Sequence, residues 1–200
     1  MSRRARPFEW CGGHPALDLV NTLDERPSQT PIENLAKYGD LVDFVELAGL
    51  VEAPLAASLR GRTGAACALV AKRARQLREH LHAALAAARG PEPMPKKHLD
   101  AIAAAIQAAH SARLLVASPS GVLATHRWAR ESAVDIPLHA CALAIEHLLV
   151  EMDRTRIRKC GAHDCDVYFI DTSKGRRRHW CSMSNCGNRE KQRRWRTSTA

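Results

Sequence analysis

Cys160-Gly161-Ala162-His163-Asp164-Cys165, a spacer of fifteen residues, then Cys181-Ser182-Met183-Ser184-Asn185-Cys186 is the stretch on which the reading of this chain turns. Two short cysteine pairs supply four thiolates, and a tetrahedral zinc ion takes four such ligands at about 2.3 Å. Each pair fills two corners from one tight turn, and the spacer has only to fold back. Between Arg154 and Ala200 the larger apolar side chains are Ile157, Val167, Tyr168, Phe169, Ile170, Trp180, Met183 and Trp195. That is too little for an independent core, so a metal is the expected substitute. His163 and His179 are nearby alternative ligands, ranked below the thiols because Cys160, Cys165, Cys181 and Cys186 already complete the set. Four thiolates also close the coordination sphere, which makes the expected Zn2+ structural; a catalytic zinc keeps one position open.

Outward from the cysteines, the spacer reads as a hairpin. Val167-Tyr168-Phe169-Ile170 is a β-prone run, Asp171-Thr172-Ser173-Lys174-Gly175 is turn chemistry, and Arg176 to Trp180 can return as the second strand. Ser184 or Asn185 is placed to cap a helix from about Cys186 to Arg196. Knuckle, hairpin and helix in that order predict a small treble-clef-like zinc module.

The charge of the chain is concentrated in the same place. The formal net charge is +9, and residues 154–200 hold 13 Lys and Arg against 4 Asp and Glu, so residues 1–153 are neutral on balance. Four thiolates around a divalent ion carry a net −2, which backbone N–H groups and some arginines must offset. Thirteen cations exceed that need, and such an asymmetry points to a polyanionic partner. Arg189, Arg193 and Arg196 fall at i, i+4 and i+7 on one side of the expected helix, with Lys191 and Arg194 flanking. Arg176, Arg177 and Arg178 add a second basic ridge, and Asn188 can hydrogen-bond at the helix start or to a nucleotide. Gly187, without a Cβ, lets backbone approach the metal sulfurs. Trp180 and Trp195 are expected to pack beside the metal.

Residues 1–153 read as a mainly α domain with one small hairpin. Hydrophobic residues are 46% of the chain and aromatics only 4%, which with heavy alanine use favours helices over a β-sandwich. Pro15 opens a short helix with Leu17, Val20 and Leu23 at helical spacing, and 24–31 reads as a loop. A second helix over Leu41, Phe44, Val45 and Leu47 stops at Gly49. The strongest helix runs from Ala65 to Arg89, with Val70, Leu77, Leu81, Leu85 and Ala88 as its stripe and Lys72, Arg75, Arg78, Glu79 and His82 mostly outside it. Gly90 to Pro95 ends it, and the next helix turns Leu99, Ile102, Ala103 and Ile106 inward. Residues 113–117 and 122–128 form a hairpin around Ser118-Pro119-Ser120-Gly121. Asp135 then caps a helix carrying Leu138, Cys141, Ala142, Ile145, Leu148, Leu149 and Met152, which is expected to run straight into the basic segment at Arg154.

Cys11, Cys67 and Cys141 read as small buried hydrophobes rather than ligands. No apolar run reaches the ~20 residues of a membrane helix, and the N-terminus lacks a signal-peptide apolar stretch. A cytoplasmic protein without membrane contact is therefore expected. Cys11 and His14 lack a third partner for nucleophilic catalysis, and His139 and His147 read as ordinary helical positions, so no enzymatic activity is expected.

Trp180-Cys181-Ser182-Met183-Ser184-Asn185-Cys186-Gly187-Asn188-Arg189-Glu190-Lys191 closely resembles the CGNR zinc finger, whose name spells Cys186-Gly187-Asn188-Arg189. Lys159-Cys160, Cys165, Tyr168-Phe169-Ile170-Asp171 and Arg177-Arg178 fit the same pattern. Gly13-His14-Pro15-Ala16-Leu17-Asp18-Leu19-Val20-Asn21-Thr22 is similar to the start of the ABATE domain, which usually accompanies this finger in a family described as stress-induced transcription regulators. The resemblance implies an ABATE-like domain over 1–153 and the finger over 154–200. It also implies a nucleic-acid partner, with duplex DNA the expected form. The alternative is a zinc-stabilised module for RNA or protein without sequence-specific DNA binding. Asp18, Asn21 and Thr22 are the candidates for a small-molecule effector site in a sensing domain, and a homodimer is a further expectation, formed through the hairpin or the long helix.

Overall fold

The computed structural model describes residues 8–89, 95–118 and 123–198. Chain order runs α1 (Pro15–Val20), β1 (Leu23–Asp24), β2 (Ile32–Glu33), α2 (Tyr38–Leu47), α3 (Ala53–Arg60), α4 (Ala65–Ala87) and α5 (Lys96–Ser111). It continues through β3 (Arg113–Ala117), β4 (Ala124–Trp128), α6 (Ile136–Val150), β5 (Ile157–Lys159), β6 (Tyr168–Ile170) and α7 (Asn188–Ser198). The chain divides into two compact units, Leu35–Glu151 and a second one that joins the described residues through Asn34 to those from Met152 onward. No helix among the described residues is long and apolar enough to cross a membrane. The expected turns at 90–94 and 119–122 lie outside the described residues.

The Leu35–Glu151 unit is a helical body. α6 is apolar almost all round, with Leu138, Cys141, Ala142, Ile145 and Leu148 buried, as befits a central helix. α4 and α5 pack on it and on each other, and α2 packs against α3, α4 and α6. On α4, Val70, Leu77, Leu81 and Leu85 are buried, whereas Ala88 is exposed. Arg78 breaks the expected solvated face: it is buried and paired with Glu79 at 2.8 Å. Arg75 Nη1 donates to the Leu35 and Ala36 carbonyls at 2.8 and 3.1 Å. α5 is less amphipathic in fact than in pattern, because Leu99 and Ala103 face solvent while Ile102 is buried. α3 was not legible in the sequence; its eight residues give only two buried positions, Ala56 and Leu59.

β3 and β4 form the expected hairpin, in register from Arg113↔Trp128 to Ala117↔Ala124. Trp128 stacks on the buried His139 ring, with centroids 6.0 Å apart and planes at 18°. Asp135 stands before α6 but does not cap it. Its backbone is already helical (φ −86°, ψ −8°), and its carboxylate pairs with Arg73 at 3.0 Å.

The other unit is smaller and holds the cysteines. α1 lies against β6, and the β1–β2 pair closes the 25–31 loop through Leu23↔Glu33 and Asp24↔Ile32. Two expectations are corrected here. The helix does not continue into the basic segment: α6 stops at Val150, Asp153 caps a single turn over Arg154–Arg156, and the chain enters β5. The partner of β6 is that upstream strand, not Arg176–Trp180; the register is Ile157↔Ile170, Arg158↔Phe169, Lys159↔Tyr168. The first cysteine pair is thus the tip of its own hairpin, with Cys160 N donating to the Val167 carbonyl at 2.8 Å.

Candidate metal centre and basic helix

The four cysteines named from spacing converge. Every Sγ of Cys160, Cys165, Cys181 and Cys186 lies within 4.8 Å of the others. Cys165 and Cys181 Sγ are 3.8 Å apart, and Cys181 and Cys186 Sγ are 3.5 Å apart. A tetrahedron with metal–sulfur bonds of about 2.3 Å has edges of about 3.8 Å, so the donor set fits a four-thiolate ion. Cys160, Cys181 and Cys186 are buried and Cys165 half-buried, with Ala162 and Phe169 completing a small cluster around them. This is a metal-binding site.

The charge on the sulfurs is met locally. Cys181 N donates to Cys160 Sγ at 3.3 Å, and Arg189 Nη2 reaches Cys186 Sγ at 3.3 Å. Hydrogen bonds from Cys165 and Cys181 hold the Cys160 thiol far below its ordinary value. The same crowding works against its neighbours: the bond with Cys160 raises Cys165, bonds with Cys11 and then Cys160 raise Cys181, and burial raises Cys186. A cation is what lets all four ionise together.

Cys11 departs from its expected place among inert buried thiols. It is half-exposed and packs against the cysteine cluster, hydrogen-bonded to Cys181. His179 is no ligand: its ring covers Gly161, where a Cβ would fall 2.3 Å from Nε2, and stands edge-on to Trp180. The backbone at Gly187 approaches not the thiolates but the Met183 thioether, which a Cβ would meet at 2.7 Å. The helix cap also differs. Ser182 Oγ accepts from Asn185 N at 3.4 Å, and a π-type turn over Met183–Gly187 leads into α7. Neither Ser184 nor Asn185 takes that role.

The nine nominated basic and amide positions separate by what they touch. Arg178 is built into the module. Its guanidinium sits 4.3 Å from the Phe169 ring centroid and donates to the carbonyls of Trp180 (3.1 Å), Ile170 (3.4 Å) and Cys181. Arg189 pairs with Asp164 at 2.8 Å. Arg193 grips Glu190 through Nε and Nη2 at 3.0 and 2.8 Å, and buried Glu190 also accepts from His163 N at 3.3 Å. Arg176 lies 3.4 Å from Asp153 and donates to Thr155 Oγ1 at 3.0 Å. Asn188 makes a long 3.4 Å bond to the Ser184 carbonyl. Arg177, Lys191, Arg194 and Arg196 are exposed. Trp180 packs on the cluster as expected, but Trp195 is 69% exposed.

Asp18, Asn21 and Thr22 are engaged within the chain. Asn21 works as a strand end: its Nδ2 donates to the Tyr168 carbonyl at 2.9 Å, and its Oδ1 accepts from Tyr168 N at 3.0 Å. Ile170 N donates to the Gly12 carbonyl at 2.8 Å, so residues 12–21 line the free edge of β6. Asp18 accepts from Gly12 N at 2.8 Å, and burial lifts its carboxyl to about 6 against the pull of the Gly12 and Cys11 N–H groups. Thr22 Oγ1 donates to the Leu19 carbonyl at 2.6 Å. A cavity of about 410 Å³ opens beside Cys165, Cys181 and Cys186; Asn21 and Arg189 are in its walls, and Asp18 and Thr22 are not. Glu190 and the clamp on β6 were missed in the sequence. Asp171-Thr172-Ser173, read as turn chemistry, is an Asx turn, in which an Asp or Asn accepts from the backbone two residues on. Asp171 accepts from Ser173 N and Oγ at 2.9 and 2.6 Å and from Arg178 N at 2.9 Å.

A helical body joined to a four-cysteine finger with a cationic terminal helix is the class that fold and site define. The ABATE family, described as "Putative stress-induced transcription regulator", matches residues 13–152, and the CGNR zinc finger matches residues 156–198. The chain belongs to the ABATE family and carries a CGNR zinc finger. No curated protein matches it. The family boundary near residue 154 and the division into compact units differ in one respect: residues 13–34 fall in the ABATE match yet pack with the finger.

Proposed function

We propose that the chain is a transcription regulator that binds duplex DNA through its C-terminal helix, with Zn2+ held by Cys160, Cys165, Cys181 and Cys186 as a structural ion. The observation that carries this reading is the character of α7. Asn188-Arg189-Glu190-Lys191-Gln192-Arg193-Arg194-Trp195-Arg196 has no apolar stripe, and all of it except Glu190 is exposed. A helix whose side chains, Trp195 apart, are polar and which buries little earns little stability from packing; here its start is anchored instead by Cys186, in the turn that leads into it, and by buried Glu190. The zinc supplies coordination bonds that fix this turn, and the chemistry of binding belongs to the side chains beyond it. Lys and Arg on one exposed helix suit the phosphate backbone and the major groove.

The test is fluorescence anisotropy with labelled duplex DNA at two salt concentrations, on protein shown by metal analysis to hold one zinc per chain. Binding should weaken steeply with salt, and Lys191→Ala should lower the log–log salt slope by about 1, the change for one lost phosphate contact. Absence of binding at low salt, or tighter binding to structured RNA or an acidic protein in competition, overturns the reading.

A further inference from the structure

We propose that the metal centre is a peroxide-responsive site, in which the zinc-bound thiolate of Cys181 is oxidised and Cys11 resolves the product as a Cys11–Cys181 disulfide. This goes beyond the structural role of the ion by assigning a reversible modification to it. It rests on the four-thiolate zinc of the proposed function and not on DNA binding. Two observations meet at Cys181. The first is the cavity of about 410 Å³, whose wall includes Cys165, Cys181 and Cys186. A peroxide entering it meets sulfur that the metal has already ionised, because a coordinating thiol is deprotonated outright. The thiolate is the nucleophilic form and the first rung of cysteine oxidation, so the protein has no base to supply.

The second observation is a fifth thiol. Cys11 packs against the cysteine cluster and is hydrogen-bonded to Cys181. Its half-exposed sulfur stands outside the set of four that converges on one point, so the ion does not hold it. The backbone beside it is pinned. Gly12 N donates to Asp18 Oδ1, and the Gly12 carbonyl accepts from Ile170 N, both at 2.8 Å. Cys165 and Cys186 Sγ also stand near Cys181 Sγ, at 3.8 and 3.5 Å. Each of them occupies a corner of the ion, and attack by either would break a second metal bond. Cys11 is the neighbouring thiol that reacts without doing so. A sulfur open to solvent with a resolving thiol beside it is the arrangement of a redox-sensing pair. Cys67 and Cys141 are buried in the Leu35–Glu151 unit and serve as internal controls.

The chemistry balances with hydrogen peroxide as the oxidant. The Cys181 thiolate attacks one peroxide oxygen; the S–O bond forms, the O–O bond breaks, and hydroxide leaves. The Cys11 sulfur then attacks the Cys181 sulfur of the sulfenic acid. The S–S bond forms, the S–O bond breaks, and the Cys11 proton departs with the hydroxyl as water. The two cysteines lose two electrons and the peroxide gains them. Cys160, Cys165 and Cys186 remain around the ion with one position open, the coordination that admits an outside ligand. A chelator therefore removes zinc from the oxidised protein faster than from the reduced one, and Cys186, which anchors the start of α7, loses its fixed partner.

The experiment treats the full-length zinc-loaded protein with limiting hydrogen peroxide, follows zinc release with a chromogenic chelator, and maps the disulfides by mass spectrometry after alkylation. Zinc release should rise with peroxide, and Cys11–Cys181 should be the first disulfide, with Cys67 and Cys141 still thiols. A thiol reductant and fresh zinc should then restore nearly all of the metal. Cys11→Ser, loaded to the same zinc content, should recover less than about half of it, because an unresolved sulfenic acid passes on to sulfinic acid, which a thiol does not reverse. A first disulfide between two of the four ligands, zinc release indifferent to peroxide, or full recovery in Cys11→Ser overturns the assignment. Should Cys11→Ser fail to load zinc, the disulfide map of the wild type decides alone. Purified protein without stoichiometric zinc sinks the metal centre and this site with it. Absence of duplex binding alongside peroxide-driven zinc release removes the DNA reading and leaves this site standing.

Discussion

Arg178 shows how one residue type hides two roles. In the sequence it is the third member of a basic ridge, indistinguishable from Arg176 and Arg177. In the fold it closes three carbonyls around the second cysteine pair and lies over Phe169. Charge-assisted bonds of this kind contribute more than neutral ones, so Arg178→Ala should destabilise the metal-loaded protein by about 2–3 kcal/mol. Exposed Arg177→Ala should change stability little. Arg178→Lys should not rescue, because a lysine cannot reproduce the planar fork. Equal urea midpoints for the two alanine variants would remove the distinction. The thiols were legible because zinc chemistry restricts both ligand type and spacing. A guanidinium is not so restricted, since phosphates, carbonyls and aromatic rings all satisfy it.

Asp18 carries a pH signature at the same scale. Its carboxyl is lifted by burial to about 6 from 3.8, so the folded protein holds this proton more tightly than the unfolded chain does. The associated destabilisation is absent below about pH 3.8, grows as pH rises through about 6, and is constant above that. Its size is on the order of 2 kcal/mol after solvent screening. Asp18→Asn keeps an oxygen for the Gly12 N–H and removes the buried charge. It should therefore match or exceed wild-type stability at pH 7.5, with the advantage shrinking at pH 5. Urea midpoints of both metal-loaded proteins at the two pH values check this; an advantage that does not change with pH would show that Asp18 is not the titrating group.

At the scale of elements, long periodic segments were readable and short paired ones were not. α4 and α6 declare themselves by repeating apolar positions over 23 and 15 residues. β5 has three residues, Ile157-Arg158-Lys159, with no alternation to set it apart from the end of a helix. The more regular-looking but incorrect partner for β6 was therefore the one suggested by local turn chemistry. The far edge of β6 is occupied by something no strand pattern could announce, the Asn21 side chain and the Gly12 carbonyl. Asn21→Ala removes a donor and an acceptor together and leaves the Tyr168 backbone groups unpaired. A loss of about 2–3 kcal/mol is expected, together with faster hydrogen exchange at Tyr168. Gly12→Ala should be at least as damaging, because its Cβ would fall 2.8 Å from Asp18 Oδ1 and 2.9 Å from Asp18 N. Wild-type exchange protection at Tyr168 in Asn21→Ala would argue that the clamp is dispensable.

At the scale of the molecule, the unit holding the metal is assembled from both ends of the sequence. Composition and family matching divide the chain near residue 154, yet α1 and the loop before it pack with the finger. The arrangement has a physical basis. Residues 154–200 contain few large apolar side chains, and Tyr168, Phe169 and Ile170 are all buried, which so short a segment does not achieve unaided. α1 contributes Ala16, Leu17, Leu19 and Val20, every one of them buried. Metal and N-terminal segment should accordingly act as one cooperative folding unit. Removing the ion with a chelator under reducing conditions should therefore abolish exchange protection in 8–34 and 152–198 together. Leu35–Glu151, with its own core around α6, should keep its protection and most of its helical signal. If protection is lost only from 154 onward while Asn21 and α1 remain protected, the two ends fold independently and the composite unit is mistaken.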